Sequence, residues 1–132
     1  MALKLKLKPN ERVYISGALV RNIGPGAVLE LMNEVPMLRE KDILLEQDAV
    51  TPCQKLYLIV QTLYFDCPGE GILFESFKSL SEEIVAAAPS LEKPLWQVGE
   101  KVQAGEHYPA LKDLQKVITL ESTLLSYAKK SY

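Results

Sequence analysis

Leu3-Lys4-Leu5-Lys6-Leu7-Lys8-Pro9-Asn10 alternates leucine and lysine without a break and then stops at a turn pair. At the two-residue side-chain period of an extended chain, Leu3, Leu5 and Leu7 fall on one face and Lys4, Lys6 and Lys8 on the other. The stretch reads as a strand with a core face and a basic face. Three roles are open to the basic face: solvated surface, a strand edge kept from aggregating by its lysines, or the floor of a polyanion site.

Working outward, Arg12-Val13-Tyr14-Ile15-Ser16 is β-branched and aromatic and reads as a second strand. Gly17 permits a bend before Ala18-Leu19-Val20-Arg21, Asn22-Ile23-Gly24-Pro25-Gly26 is a loop, and Ala27 to Met32 returns as a strand. Asn33 to Pro36 turns the chain again, and Met37-Leu38-Arg39 makes a last short strand. The apolar period then lengthens. Glu40 to Ala49 suits a short helix or an irregular connector, and Thr51-Pro52 is a strong helix start, with threonine as N-cap and proline at the first helical position. Leu56, Ile59, Val60 and Leu63 follow at helical spacing until Asp66-Cys67-Pro68-Gly69. A second helix is predicted from about Ile72 to Ala88, with Leu73, Phe77, Leu80 and Ile84 on one stripe. A third runs from Ser90 to Ala104, interrupted at Pro94 and carrying Trp96. The last spans Tyr108 to about Lys129, with Leu111, Leu114, Ile118 and Leu125 inward. The expected fold is α+β: a small antiparallel β meander over residues 1–40, then a helical bundle of about four helices over 41–132, packed as one unit.

With 132 residues, 48% of them apolar and 24% charged, the chain has the composition of an ordinary soluble domain. It has no apolar run of membrane-spanning length and no secretory h-region, so a cytoplasmic location is expected, with Cys53 and Cys67 as reduced thiols. The net charge of −2 excludes a globally basic nucleic-acid binder. Charge is nevertheless uneven. Residues 1–12 hold Lys4, Lys6, Lys8 and Arg12 against Glu11 alone, whereas residues 51–132 carry ten acids against eight bases.

The catalytic inventory is thin. His107 sits at a helix entrance with no nucleophile in any motif spacing. Cys53, in the first turn of the Thr51 helix, is a candidate for a thiol activated by the helix dipole or a small core residue. Gly24-Pro25-Gly26 is too short for a phosphate loop and lacks a following lysine. Glu40, Asp42, Glu46 and Asp48 alternate with basic and apolar residues, which suits a solvated acidic face better than a metal site. No enzyme, metal or cofactor is expected.

Three segments carry a family resemblance: Leu3 to Ala18 from the alternating strand through Val13-Tyr14-Ile15-Ser16-Gly17; Leu38-Arg39-Glu40-Lys41-Asp42-Ile43-Leu44 on to Thr51-Pro52, Gln61 and Tyr64; and Gly105-Glu106-His107-Tyr108-Pro109-Ala110-Leu111-Lys112. The chain resembles the FlbT family of flagellar-biosynthesis regulators over nearly its whole length. The resemblance implies a post-transcriptional regulator that binds the 5′-untranslated leader of flagellin messenger RNA and controls its translation or stability. It also implies a small partner, FlaF. A second likeness covers the strands alone. Their order, ending in Val35-Pro36-Met37-Leu38-Arg39-Glu40, is similar to the small RNA-binding carbon-storage regulators (CsrA), although Leu7 stands where those proteins have a basic residue. On these likenesses the RNA-contacting set is Lys4, Lys6, Lys8, Arg12, Arg39 and Lys41. The rival class is a protein-interaction module whose helices take FlaF or a flagellin helix in an apolar groove. No membrane partner is expected, and oligomerisation stays open.

Overall fold

Five short strands fill the first third of the chain: β1 (Leu3–Leu7), β2 (Arg12–Ile15), β3 (Ala18–Arg21), β4 (Ala27–Leu31) and β5 (Met37–Arg39). Four helices follow: α1 (Pro52–Tyr64), α2 (Glu70–Ala87), α3 (Glu92–Gln103) and α4 (His107–Lys130). The computed structural model describes residues 3–65 and 70–130, and the fold is α+β as expected. Cys67 and the helix end expected at Asp66-Cys67-Pro68-Gly69 lie outside the described residues. The chain divides into two units, Met1–Ile43 and Leu44–Tyr132.

The strands do not form one continuous meander. β1 pairs antiparallel with β4, while β2 lies between β3 and β5 in a second antiparallel sheet. The turns explain this routing. Glu11 donates its N–H to the Lys8 carbonyl across a turn with Pro9 second and Asn10 third, and Asn10 has a φ of 66°. That is the type II pattern, where proline presets one angle and asparagine tolerates the left-handed one. The Asn10 N–H donates to the Asn22 carbonyl and the Asn22 N–H to the Glu11 carbonyl, so two residues oppose one in a bulge that directs the chain from one sheet to the other. Between β2 and β3, Ser16 and Gly17 have φ of 45° and 96°, the two positive angles of a tight hairpin.

Leu5, Leu7 and Val13 form the core of this unit, with Ile15, Leu31 and Met37 packed against them. Leu3 is half-exposed at the end of the ladder, so only two of the three leucines of the alternation are buried. Two 3-10 turns, Glu40–Asp42 and Glu46–Asp48, make up the connector. Three residues per turn splay three side chains in three directions. Asp42 is the one turned inward, and its burial departs from the solvated acidic face expected of this stretch.

In the helical unit, the Thr51 hydroxyl accepts from the Gln54 N–H, and the Gln54 side chain accepts from the Thr51 N–H at 3.0 Å, a complete capping box ahead of Pro52. Pro94 falls in the first turn of α3, where backbone N–H groups have no intrahelical acceptor, so it starts that helix and does not interrupt it. Gly105, with a φ of 80°, closes α3: its N–H donates to Val102 and the Glu106 N–H donates to Lys101, the paired bonds that satisfy a helix's last carbonyls. α1 packs on α2 and α4, and α3 on α4. Leu56, Val60, Val98, Leu114 and Val117 are fully buried among them. Leu125, expected on the inner face of α4, is 45% exposed, because the buried stripe of that helix is Ala110, Leu111, Leu114, Val117 and Glu121. No described helix is long and apolar enough to cross a membrane.

Candidate functional site

Strand β1 ends where β4 begins, and β5 ends beside them. Together these segments line a shallow concavity of about 820 Å³ bounded by Lys6, Leu7, Lys8, Pro9, Glu11, Gly26 to Val28, Arg39 and Lys41. Four of the six basic residues singled out by sequence therefore meet in one place, with Glu11 as the single acid. Alternation supplies Lys6 and Lys8, and the short β5 and the 3-10 turn after it supply Arg39 and Lys41.

Arg39 is held in place. Its Nη2 donates to the Lys6 carbonyl at 2.8 Å and lies 3.7 Å from Glu11 Oε2. Glu11 in turn accepts from the Lys8 N–H at 2.8 Å. A guanidinium fixed at one nitrogen keeps its remaining donors aimed, which suits recognition of a planar or anionic group. The Asn22 side chain braces the same corner by donating to the carbonyls of Leu7, Lys8 and Pro25. The other two predicted residues stand apart. Lys4 lies on the same strand face but directly opposite Glu30 of β4. Arg12 Nε donates to Glu40 Oε1 at 2.9 Å, and this bond holds the Glu40 carboxyl below its ordinary pKa. Tyr14, the one aromatic of the strands, is buried, so the concavity offers cations and backbone groups without a stacking platform from that residue.

The chain matches the family model described as "Flagellar protein FlbT" over residues 3–125. It belongs to the FlbT family. Among its relatives is a protein of Bradyrhizobium diazoefficiens named "Probable flagellum biosynthesis repressor protein FlbT 1", 37% identical over 94% of this chain and 85% of that protein. A "Probable flagellum biosynthesis repressor protein FlbT" of Rhodopseudomonas palustris is 34% identical over 96% of this chain and 99% of its own length. The "Flagellum biosynthesis repressor protein FlbT" of Caulobacter vibrioides is 33% identical over 96% and 92%. No solved structure matches the chain.

The helical unit of this FlbT-family chain adds features that sequence reasoning missed. Glu121 of α4 is buried, and its Oε2 accepts from the Cys53 N–H at 3.0 Å, so a carboxylate from a distant helix satisfies a free donor at the N-terminus of α1. The Cys53 thiol is pushed up to about 12 by burial and by that carboxylate. This overturns the activated-thiol reading: the thiol stays protonated and Cys53 is a core residue. Between α2 and α3 runs an apolar groove of about 490 Å³ walled by Phe77, Val85, Leu95 and a largely exposed Trp96. The Ser81 hydroxyl lies in its lining, buried and with no hydrogen-bond partner among the described residues. Nothing in the local pattern signals Glu121 or Ser81, because each depends on a helix–helix approach.

Proposed function

We propose that this chain regulates flagellar biosynthesis in the cytoplasm by binding a single-stranded loop in the 5′-untranslated leader of flagellin messenger RNA. The observation that carries the reading is the convergence of Lys6, Lys8, Arg39 and Lys41 on one concavity in an otherwise acidic chain. Cations spaced along a strand suit successive phosphates, and unpaired loops leave base edges free for Arg39. The repressor names of the relatives support the regulatory role, and the likeness of the strand order to the carbon-storage regulators points to the same face.

The test is leader-RNA binding by the full chain across a salt series. Each phosphate contact on a single strand contributes roughly 0.7 to the slope of log affinity against log salt. The variant Lys6→Ala/Lys8→Ala/Arg39→Ala/Lys41→Ala is expected to lose most of the affinity and flatten that slope, whereas Arg12→Ala, removing a cation already engaged by Glu40, weakens binding far less. Glu11→Gln removes the one acid of the concavity and is expected to tighten binding. Salt-insensitive binding by the parent, or equal binding by the quadruple variant, ends this reading.

One observation favours a second reading, in which the chain takes a helix of FlaF or flagellin and touches RNA only indirectly. It is the α2–α3 groove, apolar and open, with Trp96 exposed at its side. Trp96→Ala abolishing capture of either protein, in a parent chain that shows no salt-sensitive leader-RNA binding by itself, decides for it.

A further inference from the structure

We infer that the seam between α2 and α3 receives the apolar face of a basic amphipathic helix from another protein, which rests on the reading that seats a partner's helix in that groove and says what kind of helix it is. The 3-10 turn Pro89–Leu91 joins the two walls, yet α2 packs chiefly on α1 and α3 on α4. The pair therefore leaves about 490 Å³ unfilled between them.

The walls have the period of a helix-packing surface. Phe77, Ser81 and Val85 stand four residues apart on α2, and Leu95 and Gly99 do so on α3, so each stripe follows its helix axis. A Cβ on Gly99 would lie 3.7 Å from the Phe77 ring, and its absence keeps the floor shallow and smooth. From Phe77 to Ala86 the wall on α2 is about 13 Å long, which gives roughly two to three turns of a further helix a place to lie. The Ser81 hydroxyl, buried in this lining with no partner among the described residues, marks a seam that the chain's own side chains do not close.

Charge selects the occupant. Residues 71–92 carry Glu75, Glu82, Glu83 and Glu92, all exposed, against Lys78 alone. Glu82 and Glu92 line the groove itself, and the ammonium of Lys78 lies over the Phe74 ring, 5.7 Å from its centroid. An anionic rim around an apolar floor repels nucleic acid and attracts a helix with lysine or arginine beside its apolar stripe. Trp96, 65% exposed, follows Glu92 by four residues and so shares its face of α3. A cation arriving there meets an indole and a carboxylate together, a combination that favours it over a neutral side chain.

Trp96 is the single tryptophan of the chain, so its emission reports on the groove directly. The probe is a synthetic tryptophan-free peptide of leucine, alanine and lysine, with leucines at helical spacing, titrated into the full chain. Its counterpart carries glutamate in place of every lysine. The basic peptide is expected to shift the emission to the blue and to bind at least about tenfold tighter than the acidic one. Glu82→Lys/Glu92→Lys is expected to reverse that order. Glu46→Lys/Asp48→Lys, the same charge change on the exposed connector, is expected to leave it unaltered.

Val85→Asp puts a charge into the apolar wall and is expected to abolish binding of the basic peptide while the circular dichroism of the helices stays the same. Binding that survives this change puts the peptide elsewhere and overturns the proposal. Equal binding of the two peptides, or equal weakening by the two charge swaps, overturns the choice of a basic helix and leaves the helix-seating groove standing. No shift with either peptide overturns both. Emission that changes with the concentration of the chain alone means a second copy occupies the seam, which also ends the proposal.

Discussion

The helical unit and the strand unit hold their shapes by different means. In the helical unit each helix hides an apolar stripe, and Leu56, Val60, Val98, Leu114 and Val117 are fully buried. In the strand unit Leu5, Leu7 and Val13 form a small cluster with a few partly buried neighbours, Tyr14 and Leu38 are buried as well, and Leu19, Ile23, Val28 and Met32 face outward. Geometry there comes from turn chemistry and side-chain clamps: Asn10 and Ser16 at positive φ, Asn22 donating to three carbonyls, and Arg39 donating to Lys6. Burial thus sets the stability of one unit and backbone bonding the shape of the other, and the residues left in solvent by the second are those available for partners.

The sharpest break of this contrast is Leu114→Ala. Removing a fully buried side chain from the helical core is expected to cost about 3 kcal/mol, read as a lowered denaturation midpoint and as labelling of Cys53, which native burial protects. An effect below about 1 kcal/mol contradicts burial as the source of stability there. Next comes Glu121→Ala, which leaves the Cys53 N–H without its acceptor in a buried place and is expected to cost roughly 1–3 kcal/mol.

In the strand unit, Gly17→Ala forces a side chain into a φ of 96° and is expected to destabilise by about 1 kcal/mol, visible as faster amide exchange in β2 and β3 with α1 to α4 unchanged. The smallest effect belongs to Glu40. Its folded pKa lies below the ordinary 4.5 because Arg12 donates to it, so its contribution is present above that value and disappears as pH falls through the lowered one. Glu40→Gln is therefore expected to lower stability slightly at neutral pH and to leave it unchanged below the lowered pKa, so that the acid limb of the stability curve flattens. An unaltered acid limb means the pair is geometric only.

Local chemistry was readable from sequence and long-range approach was not. The alternation of β1, the turn at Pro9-Asn10, the bend at Gly17 and the Thr51-Pro52 helix start all depend on residues within a few positions of one another, and all four stand in the structure. That β1 pairs with β4 depends on segments some two dozen positions apart, which no local period encodes. The same distinction divides the candidate site. Lys6, Lys8, Arg39 and Lys41 were legible as basic residues near strand ends. That Glu40 engages Arg12 and that Glu11 enters the concavity follows only from the bulge and from the path of β5.

One polar clasp has a mechanical meaning. The Gln61 side chain accepts from the Leu44 N–H at 2.8 Å and donates to the Leu44 carbonyl at 2.9 Å, so a side-chain amide does for one residue what a neighbouring strand does for a ladder. Leu44 is the first residue of the helical unit. Because Gln61 belongs to α1, the two bonds fasten the entry of the helical unit to that helix directly, in addition to the chain connection through Thr51.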